Sequence, residues 1–386
     1  MGGVVLGVDR FLGEGVYRRF AGLKLAVLTN QSAVTSSYSY SVTELRSRGL
    51  NVAYVLAPEH GFWAEYYAGE EVGSYYDSTL ELHVESVYGR ERGEGYRVLN
   101  EVDTVLVDVQ DVGVRFYTYV TALLETMDYA ARYGVSSVVV LDRSNPLGCY
   151  TVEGPLLEGK YRSYVGYYPI PLRYGLTLGE LALLYNSTRG LGLDVVVAPM
   201  VGYSRSMDVL DVGTPWVPPS PAIPDRDTVF TYPSVALLEG TNVSEGRGTY
   251  TPFKVFGAPF VDPSKLAAKL NSMKLPGVVF RPTYFRPRFS KYSNQRCGGV
   301  FIHVADRRVM EVVSLGLHVL RAIYELYPDH LEFTEGNGRF YIDLLLGTSK
   351  GREAVISGDI RGFLEYASES IRDFREQAKA SMLYPR

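Results

Sequence analysis

The sequence predicts an α/β protein: a doubly wound parallel sheet followed by a second, smaller α+β domain. Three observations lead there. Short apolar, β-branched runs recur through the first half, stretches of helical periodicity separate them, and near residue 212 the texture turns Pro-rich and Gly-rich. Strands buried on both faces and joined by helices form a parallel sheet with helices on either side.

Taken in order, the runs Val4–Val8, Leu23–Thr29, Val52–Ala57, Thr104–Val109, Ser137–Leu141 and Val195–Ala198 read as strands. Between the fourth and fifth, Val120, Leu123, Leu124, Met127 and Ala131 recur at helical spacing, and Gly134 stands where a C-cap belongs. Thr177-Leu-Gly-Glu180 is a capping-box pattern opening a helix through Leu181 and Tyr185. The segment Thr214-Pro-Trp-Val-Pro-Pro-Ser-Pro-Ala-Ile-Pro224 marks the junction, which places the first domain at 1–212 and the second at 213–386. Beyond it the pattern predicts a strand at Gly299–Val304 and a helix carrying Val309, Val312, Val313, Leu320 and Ile323. A strand near Phe340–Leu346 follows, then a last helix with Ile360, Phe363, Leu364, Ala367, Ile371 and Phe374 on one face.

Composition narrows the function. The 386 residues carry 39 Lys and Arg against 43 Asp and Glu, with no basic run, so nucleic acid and anionic lipid are not expected partners. A small-molecule or glycan substrate fits better. No apolar run reaches the roughly 18 residues of a membrane span. The start meets Asp9 and Arg10 before an apolar core can develop, so it does not read as a signal peptide, and a cytoplasmic protein is expected. Cys149 and Cys297 lie too far apart in sequence to suggest a metal framework or a disulfide scaffold. Only 9 Asn and 4 Gln are present, an amide scarcity expected of a thermophile.

In an open parallel sheet, ligands bind beyond the carboxyl ends of the strands. Those ends are polar here: Thr29-Asn30-Gln31, Pro58-Glu59-His60-Gly61, Asp108-Val-Gln110-Asp111 with Arg115 and Tyr117 beyond, and Asp142-Arg143-Ser144-Asn145. Neither a Gly-x-Gly-x-x-Gly fingerprint in the first turn nor a phosphate loop is present, so no nucleotide cofactor is expected. A rim of carboxylates suits acid–base chemistry of the kind glycoside hydrolysis uses. Glu59 is either a turn cap or the catalytic acid, and its strand-tip position favours the second. His60 serves acid–base or hydrogen-bonding work, because His83, His303, His318 and His330 offer it no metal-ligand spacing. Asp111 with Arg115, and Asp142 with Arg143, read either as site residues or as structural ion pairs. In the second domain, Glu239-Gly-Thr-Asn242-Val-Ser-Glu245-Gly-Arg247-Gly mixes acids, an amide and an arginine with glycines, which permits close approach to a ligand. A solvated turn is its plainer reading. Tyr117, Tyr119 and the Tyr161–Tyr168 cluster offer rings for sugar stacking, although most of the 31 tyrosines must be core or surface.

Several of these segments carry a resemblance. Pro-Glu-His-Gly-Phe (58–62), Asp-Val-Gln-Asp-Val-Gly-Val-Arg-Phe-Tyr-Thr-Tyr (108–119), Leu-Asp-Arg-Ser-Asn-Pro-Leu-Gly (141–148), Glu-Gly-Pro (153–155), Leu-Glu-Gly-Thr-Asn-Val-Ser-Glu-Gly-Arg-Gly-Thr (238–249) and Gly-Ala-Pro-Phe (257–260) resemble the peptidoglycan exo-β-N-acetylmuramidase family, long classed as a domain of unknown function. The resemblance implies a Rossmann-like first domain, an auxiliary second domain and a cleft between them, with Glu59 as the catalytic glutamate. It also implies removal of terminal N-acetylmuramic acid without metal or cofactor. Glu245, Glu239 or Asp111 would be the partner carboxylate. The lactyl carboxylate of muramic acid requires a cation, for which Arg115, Arg143, Arg173 and Arg247 are candidates, beside Asn30, Gln110, Tyr117, Asp142, Asn145 and Asn242 as further contacts. The runner-up is a carbohydrate-binding protein without turnover, or a glycosidase for a different amino sugar.

Overall fold

The computed structural model describes residues 3–89 and 91–385. Its strands are β1 (Lys24–Thr29), β2 (Asn51–Ala57), β3 (Tyr75–Asp77), β4 (Leu82–Ser86), β5 (Thr104–Asp108), β6 (Ser137–Leu141), β7 (Asp194–Ala198), β8 (Val255–Ala258), β9 (Val278–Phe285) and β10 (Cys297–Val304). The main helices are α1 (Gly7–Gly13), α2 (Ser41–Ser47), α3 (Arg92–Gly95), α4 (Thr118–Tyr133), α5 (Leu178–Arg189), α6 (Arg226–Val235), α7 (Pro263–Ser272), α8 (Val312–Leu326), α9 (Tyr341–Leu346), α10 (Lys350–Ser357), α11 (Ile360–Ser370) and α12 (Arg372–Ala378).

The first seven strands form one sheet in the order β3-β4-β2-β1-β5-β6-β7, parallel except at the β3 edge. The chain winds outward from β1 to β4, then returns to β5 on the other side of β1, the strand reversal of a doubly wound sheet. Alternation decides the two faces. Val105, Val107, Val138 and Val140 enter one core, and Leu106, Val139 and Leu141 enter the other. The first of these cores continues without a break into the second, smaller α+β domain, joining Phe256, Val300 and Ile302 of the antiparallel sheet β8-β10-β9 to Leu317 and Leu320 of α8. Pro282 sits on edge strand β9, where a missing N–H costs least.

The expected helices form. Gly134 caps α4 in the left-handed conformation, and Thr177 with Glu180 makes a complete capping box on α5. Four expectations fail. Val309 is exposed and precedes α8 instead of joining its stripe. Phe340–Leu346 is helical from Tyr341, because Ile342, Leu345 and Leu346 share a helical stripe that a short run cannot distinguish from a strand. The last helix is split at Ile371 into α11 and α12. Val4–Val8 makes only a bridge from Val5 to Val201 and then starts α1. Close approach explains this: the Gly7 N–H donates to the Asp142 carbonyl at 3.0 Å, and a Cβ on Gly7 would lie 2.3 Å from both the Ala198 oxygen and the Asp142 nitrogen.

Gly7→Ala therefore costs about 1–3 kcal/mol of stability through overpacking against backbone. Gly13→Ala, where nothing lies within 4 Å of a new Cβ, stays within about 0.5 kcal/mol of wild type. Urea unfolding of the two variants checks this, and equal stabilities would contradict it.

Candidate active site

A cleft of about 380 Å³ opens beyond the carboxyl end of β2, between the start of α4 and the second domain. Glu59, His60, Phe116, Tyr117 and Thr118 line one wall, and Glu239, Glu245, Arg247, Lys291 and Tyr341 line the other. Larger hollows lie elsewhere, but none of them is lined by Glu59 or by the 239–247 loop. The chemistry belongs in the cleft.

The turn that ends β2 is closed by the Gly61 N–H on the Pro58 carbonyl at 3.1 Å. His60 and Gly61 both take left-handed backbone, with φ 77 and 73. A non-glycine residue there costs about 1–2 kcal/mol, and such strain concentrates at functional sites. The turn presents Glu59, of which 8% is exposed, with both carboxylate oxygens fixed. Oε1 accepts from the Gly69 N–H at 3.1 Å, and Oε2 accepts from the Thr118 hydroxyl at 2.7 Å, at the first residue of α4. Burial, then the charge of Glu59, holds the Tyr88 phenol above its usual value. His60 Nδ1 faces the Tyr66 carbonyl at 2.8 Å, and burial lowers its imidazole below the usual value, against the opposing charge of Glu59.

On the facing wall, Arg247 lies between two acids, 3.0 Å from Glu239 and 3.5 Å from Glu245, with its guanidinium 5.0 Å above the Phe253 ring. Burial raises the Glu239 carboxyl above its usual range, while Arg247 opposes the shift. The loop turns this tightly because Gly246, φ 85, has the Val255 carbonyl 2.5 Å from where a Cβ would sit. Lys291 spans the loop, donating to the Leu238 and Val243 carbonyls and to Glu245 at 2.9, 3.0 and 3.0 Å. Sequence reasoning missed Lys291, one of four cations in the β9–β10 connection, which has no motif to single it out. It also missed Thr118, quoted only within the 108–119 segment.

Nine other candidates do not line the cleft, and the bonds their side chains make go to the scaffold. Asn30 bonds the Tyr119 hydroxyl and the Pro219 carbonyl. Gln110 bonds the Asp111 and Ser144 carbonyls. Asp111 and Arg115 do not pair with each other. Asp111 accepts from Tyr174 and the Gly113 N–H, and burial pushes it up to about 6. Arg115 donates to the Pro155, Ile170 and Leu345 carbonyls. Nor do Asp142 and Arg143 meet. Asp142 takes Thr177, the Gly179 N–H and Tyr384 near the C-terminus, and Arg143 pairs with Asp108. Asn145 ties the Leu176 carbonyl to the Leu147 N–H, Arg173 pairs with Glu153, and Asn242 clamps His330 and Glu332. Among the described residues no three His, Cys, Asp or Glu side chains converge as metal ligands, and no helix is long and apolar enough to cross a membrane.

A doubly wound sheet with a buried, doubly held glutamate facing two further acids across a sugar-sized cleft defines a glycoside hydrolase. The comparisons agree. The family models described as exo-beta-N-acetylmuramidase NamZ, N-terminal and C-terminal, match residues 25–227 and 230–384. The peptidoglycan beta-N-acetylmuramidase NamZ of Bacillus subtilis is 39% identical over 383 residues, covering 99% of this chain and 91% of that protein. Two crystal structures of DUF1343 family proteins from Bacteroides fragilis superpose on it. One has a TM-score of 0.88 at 31% identity, covering 99% of each chain, and the other 0.78 at 29%, covering 100% of this chain and 99% of its own. The chain belongs to the exo-β-N-acetylmuramidase NamZ family.

With its imidazole lowered, His60 is neutral in the folded protein at pH 7. Below about 6.5 the unfolded chain takes up a proton that the folded one refuses, so this group removes stability as the pH falls from 6.5 toward the folded value. His60→Asn, which tolerates left-handed backbone, should flatten that part of the stability–pH curve. Urea midpoints of both proteins between pH 7 and 5 measure it, and parallel curves would contradict it.

Proposed function

We propose that the enzyme removes a terminal N-acetylmuramic acid from murein fragments, with Glu59 as general acid/base. What carries the reading is the double hold on Glu59 by Gly69 and Thr118, opposite Glu239, Glu245 and Arg247 in one cleft. Glu59 protonates the glycosidic oxygen as the C1–O bond breaks, the facing carboxylates meet the positive charge that develops on the sugar ring, and a water adds to C1 and gives up the proton that restores the acid. Glu239 is the partner carboxylate. Glu245 has both oxygens beside cations, whereas Arg247 approaches only one oxygen of Glu239. His60, neutral and held by Tyr66, orients the substrate, and Tyr117 offers a ring on the cleft wall. Of the four arginines expected to read the lactyl carboxylate, only Arg247 lines the cleft; the other three give their donors to the scaffold.

We also place the domain boundary near residue 212, where the Pro-rich strap begins, and read the enzyme as cytoplasmic and thermophilic. Two free, buried cysteines and 13 amide side chains in 386 residues support those two readings.

A β-N-acetylmuraminide and the matching β-N-acetylglucosaminide, assayed side by side, test the function. Glu59→Gln should lose about two to four orders of magnitude in kcat on the muraminide. Arg247→Lys should raise KM for the muraminide more than for the glucosaminide, because the forked geometry is lost while the charge stays. Undiminished turnover by Glu59→Gln would overturn the assignment.

A further inference from the structure

The cleft is small. At about 380 Å³ it lies near the lower end of ligand cavities, which run about 300–1,000 Å³, and it has room for one sugar with its substituents. The next sugar of a glycan must therefore lie at the mouth. Two loops meet there. One follows the Glu59 turn and contributes Ala68 and Gly69 to the wall; the other, between β9 and β10, contributes Ser290 and Lys291. Next in sequence to those lining residues, Tyr67 and Phe289 meet with ring centroids 4.1 Å apart and planes tilted by 39°. They stay 47% and 36% exposed, so the contact leaves much of their apolar surface in water.

The backbone that carries each ring is held in place. The Tyr67 N–H and carbonyl bind Glu70, at 2.9 and 3.2 Å. The Phe289 segment is fixed by the Arg288 N–H on the Gly248 carbonyl at 2.8 Å and by the Asn294 N–H on the Pro287 carbonyl at 2.7 Å. Left-handed backbone at Ala64, Ser290, Tyr292 and Asn294, φ 53, 66, 56 and 59, concentrates strain in the same two loops. Two exposed aromatics in mutual contact on hydrogen-bonded loops form a prepared surface.

Building on the role given to Glu59 above, we propose that Tyr67 and Phe289 seat the leaving sugar, the second ring of a murein disaccharide. The acid fixes the direction. Glu59 protonates the oxygen that joins the two sugars, so the leaving ring departs on the side of Glu59, and Tyr67 is two residues from the Gly69 N–H that holds that carboxylate. A β-linked hexosamine with equatorial substituents presents a face of axial C–H groups, which pack against the negative face of an aromatic ring.

The test compares kcat/KM on a murein disaccharide with kcat/KM on methyl β-N-acetylmuraminide, which has no second ring. Tyr67→Ala and Phe289→Ala should each lower the disaccharide-to-methyl ratio about tenfold. Tyr67→Phe and Phe289→Tyr should keep the ratio within about twofold, because the ring survives. A ratio unmoved by the alanine variants, with the wild type active on both substrates, would overturn this inference alone. A wild type that cleaves neither substrate would overturn the proposed muramidase activity and this inference with it.

Discussion

Arg115 holds the two walls of the cleft together. Its guanidinium is fully buried, and among the described residues it meets no carboxylate, only three carbonyls, those of Pro155, Ile170 and Leu345. Burial pushes it down to about 9, which leaves it charged at neutral pH. A buried cation survives when backbone dipoles replace its water, and these three carbonyls come from segments remote in sequence. Three residues after Arg115, Thr118 holds Glu59. At the far end of the guanidinium, Leu345 closes α9, whose Ile342 packs so tightly on Gly240 that a Cβ there would lie 2.5 Å away. Glu239 immediately precedes that glycine. A single side chain thus registers the acid on one wall against the acid on the other.

The same economy of fixed donors runs through the site. Gly69 and Thr118 aim Glu59, Lys291 ties three acceptors of the Glu245 loop, and the left-handed His60–Gly61 pair turns the chain abruptly enough to expose the carboxylate. Groups fixed before substrate arrives need no reorganisation during the reaction, which is how electrostatic stabilisation becomes rate. The Pro-rich strap adds to this. Its proline carbonyls accept from Asn30 and Gln31 at the tip of β1, and the anchored strap delivers Ser220, Ala222 and Ile223 to the cleft.

Much of this was legible in the sequence. β-Branched runs such as Ser137–Leu141 favour strands buried on both faces, and their alternation with helical stretches points to a doubly wound sheet. Glu59, His60, Tyr117, Glu239, Glu245 and Arg247 could be picked out because glycines and polar residues crowd a strand tip and a loop. What could not be read was which polar residues of the rim face the ligand. Arg115, Asp142 and Asn145 have the same composition signature as site residues, yet their bonds are spent on carbonyls, a capped helix and Tyr384 of the returning tail. Such pairings join positions up to 242 residues apart, and no local pattern announces them. Lys291 was hidden for the same reason, and the helix Tyr341–Leu346 because six residues carry too little periodicity to separate the two states.

The most direct test of the central claim, that chemistry occurs between the two registered walls, is a crystal structure of the Glu59→Gln protein with an uncleaved murein disaccharide. The account predicts the terminal sugar inside the cleft, its glycosidic oxygen about 3 Å from the side chain at position 59, and its ring facing Glu239. A disaccharide bound instead over the paired Lys254 and Arg307 hollow, with the cleft empty, would contradict it.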